Sequence, residues 1–242
     1  MKEQVQALVL RSFPQGERNY VLKLYTREYG RMSFIVTAAQ SGKKGGVSRS
    51  LFQPLHLLAI TYQVSRKSSL HRITEGQLLF HFEAMGLEPV KNCLALFIAE
   101  FLQHILSAAN EGDELLFDYL QNSVLMLDQS AEPMANFHLA FLMRLLYYLG
   151  LRPEMGRDEQ HYFDLLTGNY AREEPWHSHF IRGLLLEQWQ TLQRLSWDEV
   201  LRWELPGRQR QDLLTALLDY YRLHVNDFGE LRSRSILRDI LS

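Results

Sequence analysis

The 242-residue chain holds one cysteine, seven prolines and fourteen glycines. It has no apolar run near the ~18 residues of a membrane span. Each shortage excludes something. A lone Cys93 rules out an internal disulfide framework and any zinc site built on two or more thiolates. So little glycine and proline rules out collagen-like and low-complexity chains. The N-terminal MKEQVQALVL lacks the long apolar stretch and cleavage site of a signal peptide. No Gly-x-Ser-x-Gly elbow, no GxGxxG and no phosphate-binding GxxxxGK[ST] occurs. What is present is globular, with 46% apolar and 22% charged residues, enough chain to bury a core without staples. The expected location is the cytoplasm.

Charge of one sign is also scarce, but only locally. Residues 1–80 carry twelve basic side chains against four acids, a net +8, and residues 81–242 carry fourteen against twenty-four, a net −10. Such asymmetry suggests a polyanion-binding module joined to a body with another job. The hydrophobic period changes at the same place. Segments 5–10, 20–26, 31–38, 55–63 and about 70–74 are short, rich in β-branched and aromatic residues, and separated by turn signals at Pro14–Gly16, Gly30 and Gly42–Gly46. Five short strands predict a small closed barrel over 1–80. From about residue 90 the period becomes helical, with segments at 94–106, 113–128, 135–149, 178–195 and 214–225. Residues 135–149 are apolar almost all round and belong at the centre of a helical body. Ser196–Glu199 fits a capping box, and Gly150 with Pro153 fits a helix stop. Residues 151–180 predict an irregular excursion within an 81–242 helical domain.

Three groups of residues offer chemistry. The loop from Gln40 to Ser50 holds Lys43, Lys44 and Arg49 among three glycines and no acid. It reads as a phosphate-cradling loop or as a solvated hairpin tip. Arg11, Arg18, Lys23, Arg27, Arg31, Arg66 and Lys67 share its barrel, interleaved with Tyr20, Tyr25, Tyr29, Phe34 and Tyr62. Tyr29 and Phe34 are the candidates for stacking on unpaired bases, and core positions are the alternative. Asp158, His161, His177 and His179 suggest either a metal set or scattered surface histidines, with a spacing that matches no zinc signature. The pairs Glu173–Glu174 and Asp113–Glu114 sit where loops and helix first turns carry acids anyway. Nothing here predicts catalysis.

Motifs along the whole chain resemble the RecO family. They are Gly16-Glu17 before the second strand, Leu24-Tyr25-Thr26-Arg27-Glu28-Tyr29-Gly30-Arg31, the basic loop followed by Leu51-Phe52-Gln53-Pro54-Leu55, Glu114–Leu120, Tyr148-Leu149-Gly150, and Phe228–Leu237 with its Leu-x-Ser-Arg pattern at 231–234. The resemblance implies an α+β multidomain protein, a five-stranded β-barrel of the OB-fold type followed by an α-helical bundle. It implies a DNA repair and recombination mediator, not an enzyme. Such a protein binds single- and double-stranded DNA, anneals complementary strands and, with RecR, helps load RecA onto DNA coated with single-strand-binding protein. The acidic, Phe-ending tail of that protein would need a basic pocket in the helical part, for which Arg144, Arg232, Arg234 and Arg238 are candidates. Arg144 fits a core arginine equally well. Many members carry a four-cysteine zinc site after the central helix. Residues 151–180 hold no cysteine, so no zinc or other cofactor is expected, and Tyr162, Phe163, Tyr170 and Trp176 are expected to hold the excursion by packing. A non-DNA adaptor whose basic barrel docks an acidic protein is the alternative.

Overall fold

The computed structural model describes residues 2–39, 46–65, 68–106, 111–156 and 160–241. Five strands, β1 (Lys2–Gln15), β2 (Asn19–Thr26), β3 (Gly30–Thr37), β4 (Leu57–Gln63) and β5 (Leu70–Leu78), close a barrel in the order β1-β2-β3-β5-β4. The β3–β5 pair is parallel and the others are antiparallel. This is the expected OB-fold barrel. Alternation sends Val5, Ala7, Val9, Leu22, Leu24, Phe34, Val36, Ile60, Tyr62 and Ile73 into its core. β1 and β5 run past the apolar cores of their sequence segments, because ladder hydrogen bonds continue where the side chains turn polar. The proposed strand start at 55 moves to Leu57, since Leu55 takes a positive φ of 62°.

Two compact units make up the chain, 1–129 and 130–242. The first joins the barrel to helices α1 (Pro89–Ile105) and α2 (Glu114–Gln129). The segment between barrel and α1 is pinned by Asp128, a buried carboxylate. Its Oδ1 accepts the backbone N–H groups of Ala84 (2.9 Å) and Met85 (2.8 Å), and its Oδ2 that of Glu83 (3.2 Å). Lys91, also buried, donates to the Asp128 backbone carbonyl at 3.0 Å and pairs with Glu88 at 3.2 Å.

In the second unit, α3 (Phe137–Tyr148) is buried at nine of its positions and packs on α4 (Leu184–Arg194), α5 (Trp197–Arg202) and α6 (Gly207–His224). Gly150, at φ 69°, ends α3 as expected, with the Leu151 N–H reaching back to the Leu146 carbonyl at 2.8 Å. The capping box is present. Ser196 accepts from the Glu199 N–H, and the Glu199 carboxylate accepts the Ser196 N–H at 2.7 Å. The expected helix at 178–195 begins only at Leu184. Phe180–Arg182 is instead strand β8, paired with β6 (Tyr162–Asp164), whose other edge carries β7 (Asn169–Ala171). Gly183, at φ 59°, separates β8 from α4. The sequence pattern also gives no sign of α7 (Ser233–Ile240), whose buried position is Leu237.

Phe163 holds the excursion. Its ring, fully buried, lies 4.8 Å from Tyr170, 4.9 Å from Trp189 and 6.1 Å from Tyr220. Tyr162 packs edge-on against Phe180 at 5.5 Å. Trp176 does not join them. It is fully solvent-exposed, on a segment whose chain is fixed by β8 rather than by its own ring.

Asp128→Ala should cost about 2 kcal/mol, because it takes the acceptor from three backbone N–H donors, of which that of Met85 is buried; urea unfolding against wild type checks this. His138, completely buried on α3, is held down to a pKa of about 3 by burial, with Arg210 adding to the effect. An unfolded histidine takes up its proton near pH 6.5, so the unfolded state binds more protons in between. Stability should therefore fall as pH drops from about 6.5 towards 3. His138→Leu should flatten that decline in thermal melts at stepped pH.

Candidate nucleic-acid interface

Which side chains leave the barrel is decided by which fill it. With Leu22, Leu24, Phe34 and Val36 inside, alternation turns Val21, Lys23 and Tyr25 of β2, and Arg31, Ser33 and Ile35 of β3, outward. On β1, Leu10 is an extra residue between the pairs Val9–Leu24 and Arg11–Lys23. That bulge re-aims the rest of the strand, bringing Arg11 and Phe13 onto the outer face. Register then sets three rows: Leu8–Tyr25–Arg31, Arg11–Lys23–Ser33 and Phe13–Val21–Ile35. Ile35 extends the third row to Arg72 of β5.

The first row is covered by the helices. Tyr25 is buried and stacks on Phe117 at 6.4 Å, and burial pushes its phenol up to about 12. Arg27 makes an ion pair of 2.6 Å with Asp118 and lies 5.5 Å over the Phe117 ring; the Asp118 hydrogen bond raises its pKa. Arg31 donates to the Gln103 carbonyl at 3.0 Å, and Gln103 in turn donates to the Leu10 carbonyl at 3.1 Å. Arg27 and Arg31 thus fasten α1 and α2 to the barrel, and the expectation that they face DNA loses to these contacts.

The other two rows keep exposed side chains at Arg11, Phe13 and Arg72, although Val21 is buried. Arg11 is exposed and lies opposite Lys23, which donates to Ser33 Oγ at 2.6 Å. Neither row contains an acid. Phe13 is 38% exposed, and Arg72 is exposed. Neither Arg72 nor Phe13 is among the site residues expected from sequence. The strand register, with its bulge, is the signal that places them.

A second basic group lies where β1 turns into β2 and β3 ends. Arg18 donates to the Ala38 carbonyl at 3.4 Å. Arg49, on a short 3-10 helix (Arg49–Phe52), sits 5.0 Å over the Tyr20 ring. Between them the chain closes on itself, with Ala39 N–H bonded to the Val47 carbonyl at 2.9 Å and Val47 N–H to the Thr37 carbonyl at 3.0 Å. Gly46, at φ +97°, makes this possible, since a Cβ there would come within 2.7 Å of the Ala39 backbone. Lys43 and Lys44 lie between these ends, and they, Arg66 and Lys67 fall outside the described residues, as does Asp158.

The two stacking candidates separate. Phe34 is fully buried in the barrel, edge-on to Tyr62 at 5.1 Å, so it offers no face to a base. The inward side of β3 claims it. Tyr29 is 50% exposed at the β2–β3 turn, next to Glu28.

In the second unit Arg144 is a structural arginine. It donates to the Leu195 carbonyl at 2.6 Å and the Ala140 carbonyl at 3.3 Å, and lies 4.9 Å over Trp197. Arg234 donates to Thr215 Oγ1 at 2.6 Å, Arg238 to Asp239 at 3.2 Å, and Arg232 is exposed at the start of α7. Among the described residues no three His, Cys, Asp or Glu side chains are grouped to hold a metal ion. His177 pairs with Asp164 at 3.3 Å. With one cysteine in the chain, buried on α1, the residues of the excursion do not fit a four-thiolate zinc site.

Comparison with known proteins adds the decisive observation. The family model "Recombination protein O N terminal" matches residues 1–82, and "Recombination protein O C terminal" matches residues 87–235. The chain belongs to the RecO family. It is 32% identical to the DNA repair protein RecO of Phocaeicola vulgatus, over 100% of both chains. It is 35% identical to those of Bacteroides fragilis, over 99% of each, and Porphyromonas gingivalis, over 96% of each. The RecO N-terminal match spans Arg11, Arg18, Lys23, Arg49 and Arg72. No helix among the described residues is long and apolar enough to cross a membrane.

Arg27→Ala should lower the melting temperature, because it releases α2 from the barrel, yet leave affinity for any oligonucleotide unchanged. Differential scanning fluorimetry beside fluorescence anisotropy tests both halves.

Proposed function

We propose that this RecO-family protein is a DNA repair and recombination mediator. It binds single- and double-stranded DNA without sequence specificity and anneals complementary strands. With RecR it helps RecA replace single-strand-binding protein. The observation that carries the reading is the pairing of Arg11 with Lys23 across β1 and β2, in rows without an acid. Like charges held opposite each other weaken a sheet, so such a pair is a poor structural choice and a good phosphate site. Arg72 on the next row and Arg18 and Arg49 at the loop base extend the field.

The mechanism needs no bond chemistry. Each cation that reaches a phosphate releases a condensed counterion, which drives binding. Two strands held on such a surface repel each other less, and contacts to backbone leave base edges free to pair. Lys43, Lys44, Arg66 and Lys67 belong to the same surface in this reading. Tyr29 remains a stacking candidate at its margin. For the acidic, Phe-ending tail of single-strand-binding protein, α7 suits best. Arg232, Ile236 and Ile240 succeed one another at helical spacing, and both isoleucines are exposed. Cationic and apolar groups side by side match that tail's chemistry.

Replacing Arg11 and Lys23 together by alanine should weaken binding to oligonucleotides of any sequence. The slope of log affinity against log salt on single strands should fall by about 1.4, from two lost phosphate contacts. Lys43→Glu with Lys44→Glu should act the same way. Anisotropy titrations from low to high salt give the slopes. No binding by wild type at low salt would favour an adaptor that docks an acidic protein.

A further inference from the structure

We propose that Arg49 is a nucleobase-stacking residue, taking an unpaired base of single-stranded DNA on the guanidinium face turned away from Tyr20. The inference rests on the DNA-binding reading and sharpens it.

Three side chains form a ladder at the loop base. Phe52 is buried in the barrel core, the Tyr20 ring packs against it at 5.3 Å with a tilt of 47°, and the Arg49 guanidinium carbon sits 5.0 Å over the Tyr20 ring. Each layer orders the next, and the outermost is exposed. Among the described residues Arg49 makes no hydrogen bond or ion pair beyond this ring contact. Its in-plane N–H donors thus have no acceptor among the described residues. The backbone beneath it is set, because Ser48 Oγ accepts the Ser50 N–H at 3.4 Å and Val47 is tied to Thr37.

A phosphate site alone would not need this arrangement. A lysine supplies the same charge with no planar face to align. A guanidinium held over a ring has its other face available to a second flat partner, while its N–H donors can still serve phosphate oxygens. Duplex DNA keeps its bases stacked on each other, so only single strands can use the outer face. Arg49 also lies two residues beyond Val47, which closes the base of the Lys43–Lys44 loop.

The test uses Arg49→Lys in the full chain, which keeps the charge and removes the plane. Affinity is measured for a single-stranded oligonucleotide, for a strand of the same length made of abasic sites, and for a duplex. The expected result is about tenfold weaker binding to the base-bearing strand. Binding to the abasic strand and the duplex, the salt slope and the melting temperature should all be unchanged. Equal binding of the base-bearing strand by variant and wild type would overturn the proposal. So would an equal loss on the abasic strand, which would make Arg49 a phosphate contact. If wild type bound neither strand nor duplex at low salt, the DNA-binding reading itself would fall.

Discussion

The first compact unit depends on how the outer face of its barrel is divided. Leu8, Tyr25 and Arg31 occupy one row and are spent on carrying α1 and α2, through the Tyr25–Phe117 stack, the Arg27–Asp118 pair and the Arg31–Gln103–Leu10 relay. The Leu10 bulge marks the border. Past it the face holds Arg11, Lys23, Phe13, Ile35 and Arg72 with nothing acidic among them. One strand pair therefore serves two masters along its length. At one end apolar and aromatic burial anchors helices, and at the other Arg11 and Lys23 face each other in a row without an acid. The same residue type does opposite work on either side of a single extra residue.

A surface of this kind suits a protein that must hold DNA without consuming its bases. Cations on a pleated sheet project as separate points rather than as a shaped pocket, which neutralises phosphates and reads no sequence.

Much of this was legible from the sequence. Period-two segments with turn residues indicated a five-stranded barrel, and the Ser196–Glu199 box and the Gly150 stop bounded helices where expected. The expected order, a barrel followed by helices, is the order of the fold, whereas the compact units divide at 129/130 rather than at 80/81. What escaped was set by tertiary partners. Phe180–Arg182 is apolar enough to continue a helix, and only its pairing with β6 makes it a strand. Alternation gave relative faces but could not anticipate the bulge at Leu10, so Arg72 and Phe13 were not picked out. Arg27 and Arg31 are indistinguishable from Arg11 by composition. Asp118 and the Gln103 carbonyl, some seventy to ninety residues away, decide that they are mortar. Trp176 shows the converse error: an aromatic ring near a packed cluster in sequence stays outside it in space.

The bridge between Ala39 and Val47, closed over Gly46, fastens both feet of the basic loop to the barrel. A loop whose feet are tied contributes little to the fold beyond them, and its closure entropy changes only slowly with length. A change in loop length between feet tied in this way costs the strands little. Reach towards a polyanion can be adjusted by evolution, or by a protein engineer, as an independent dial.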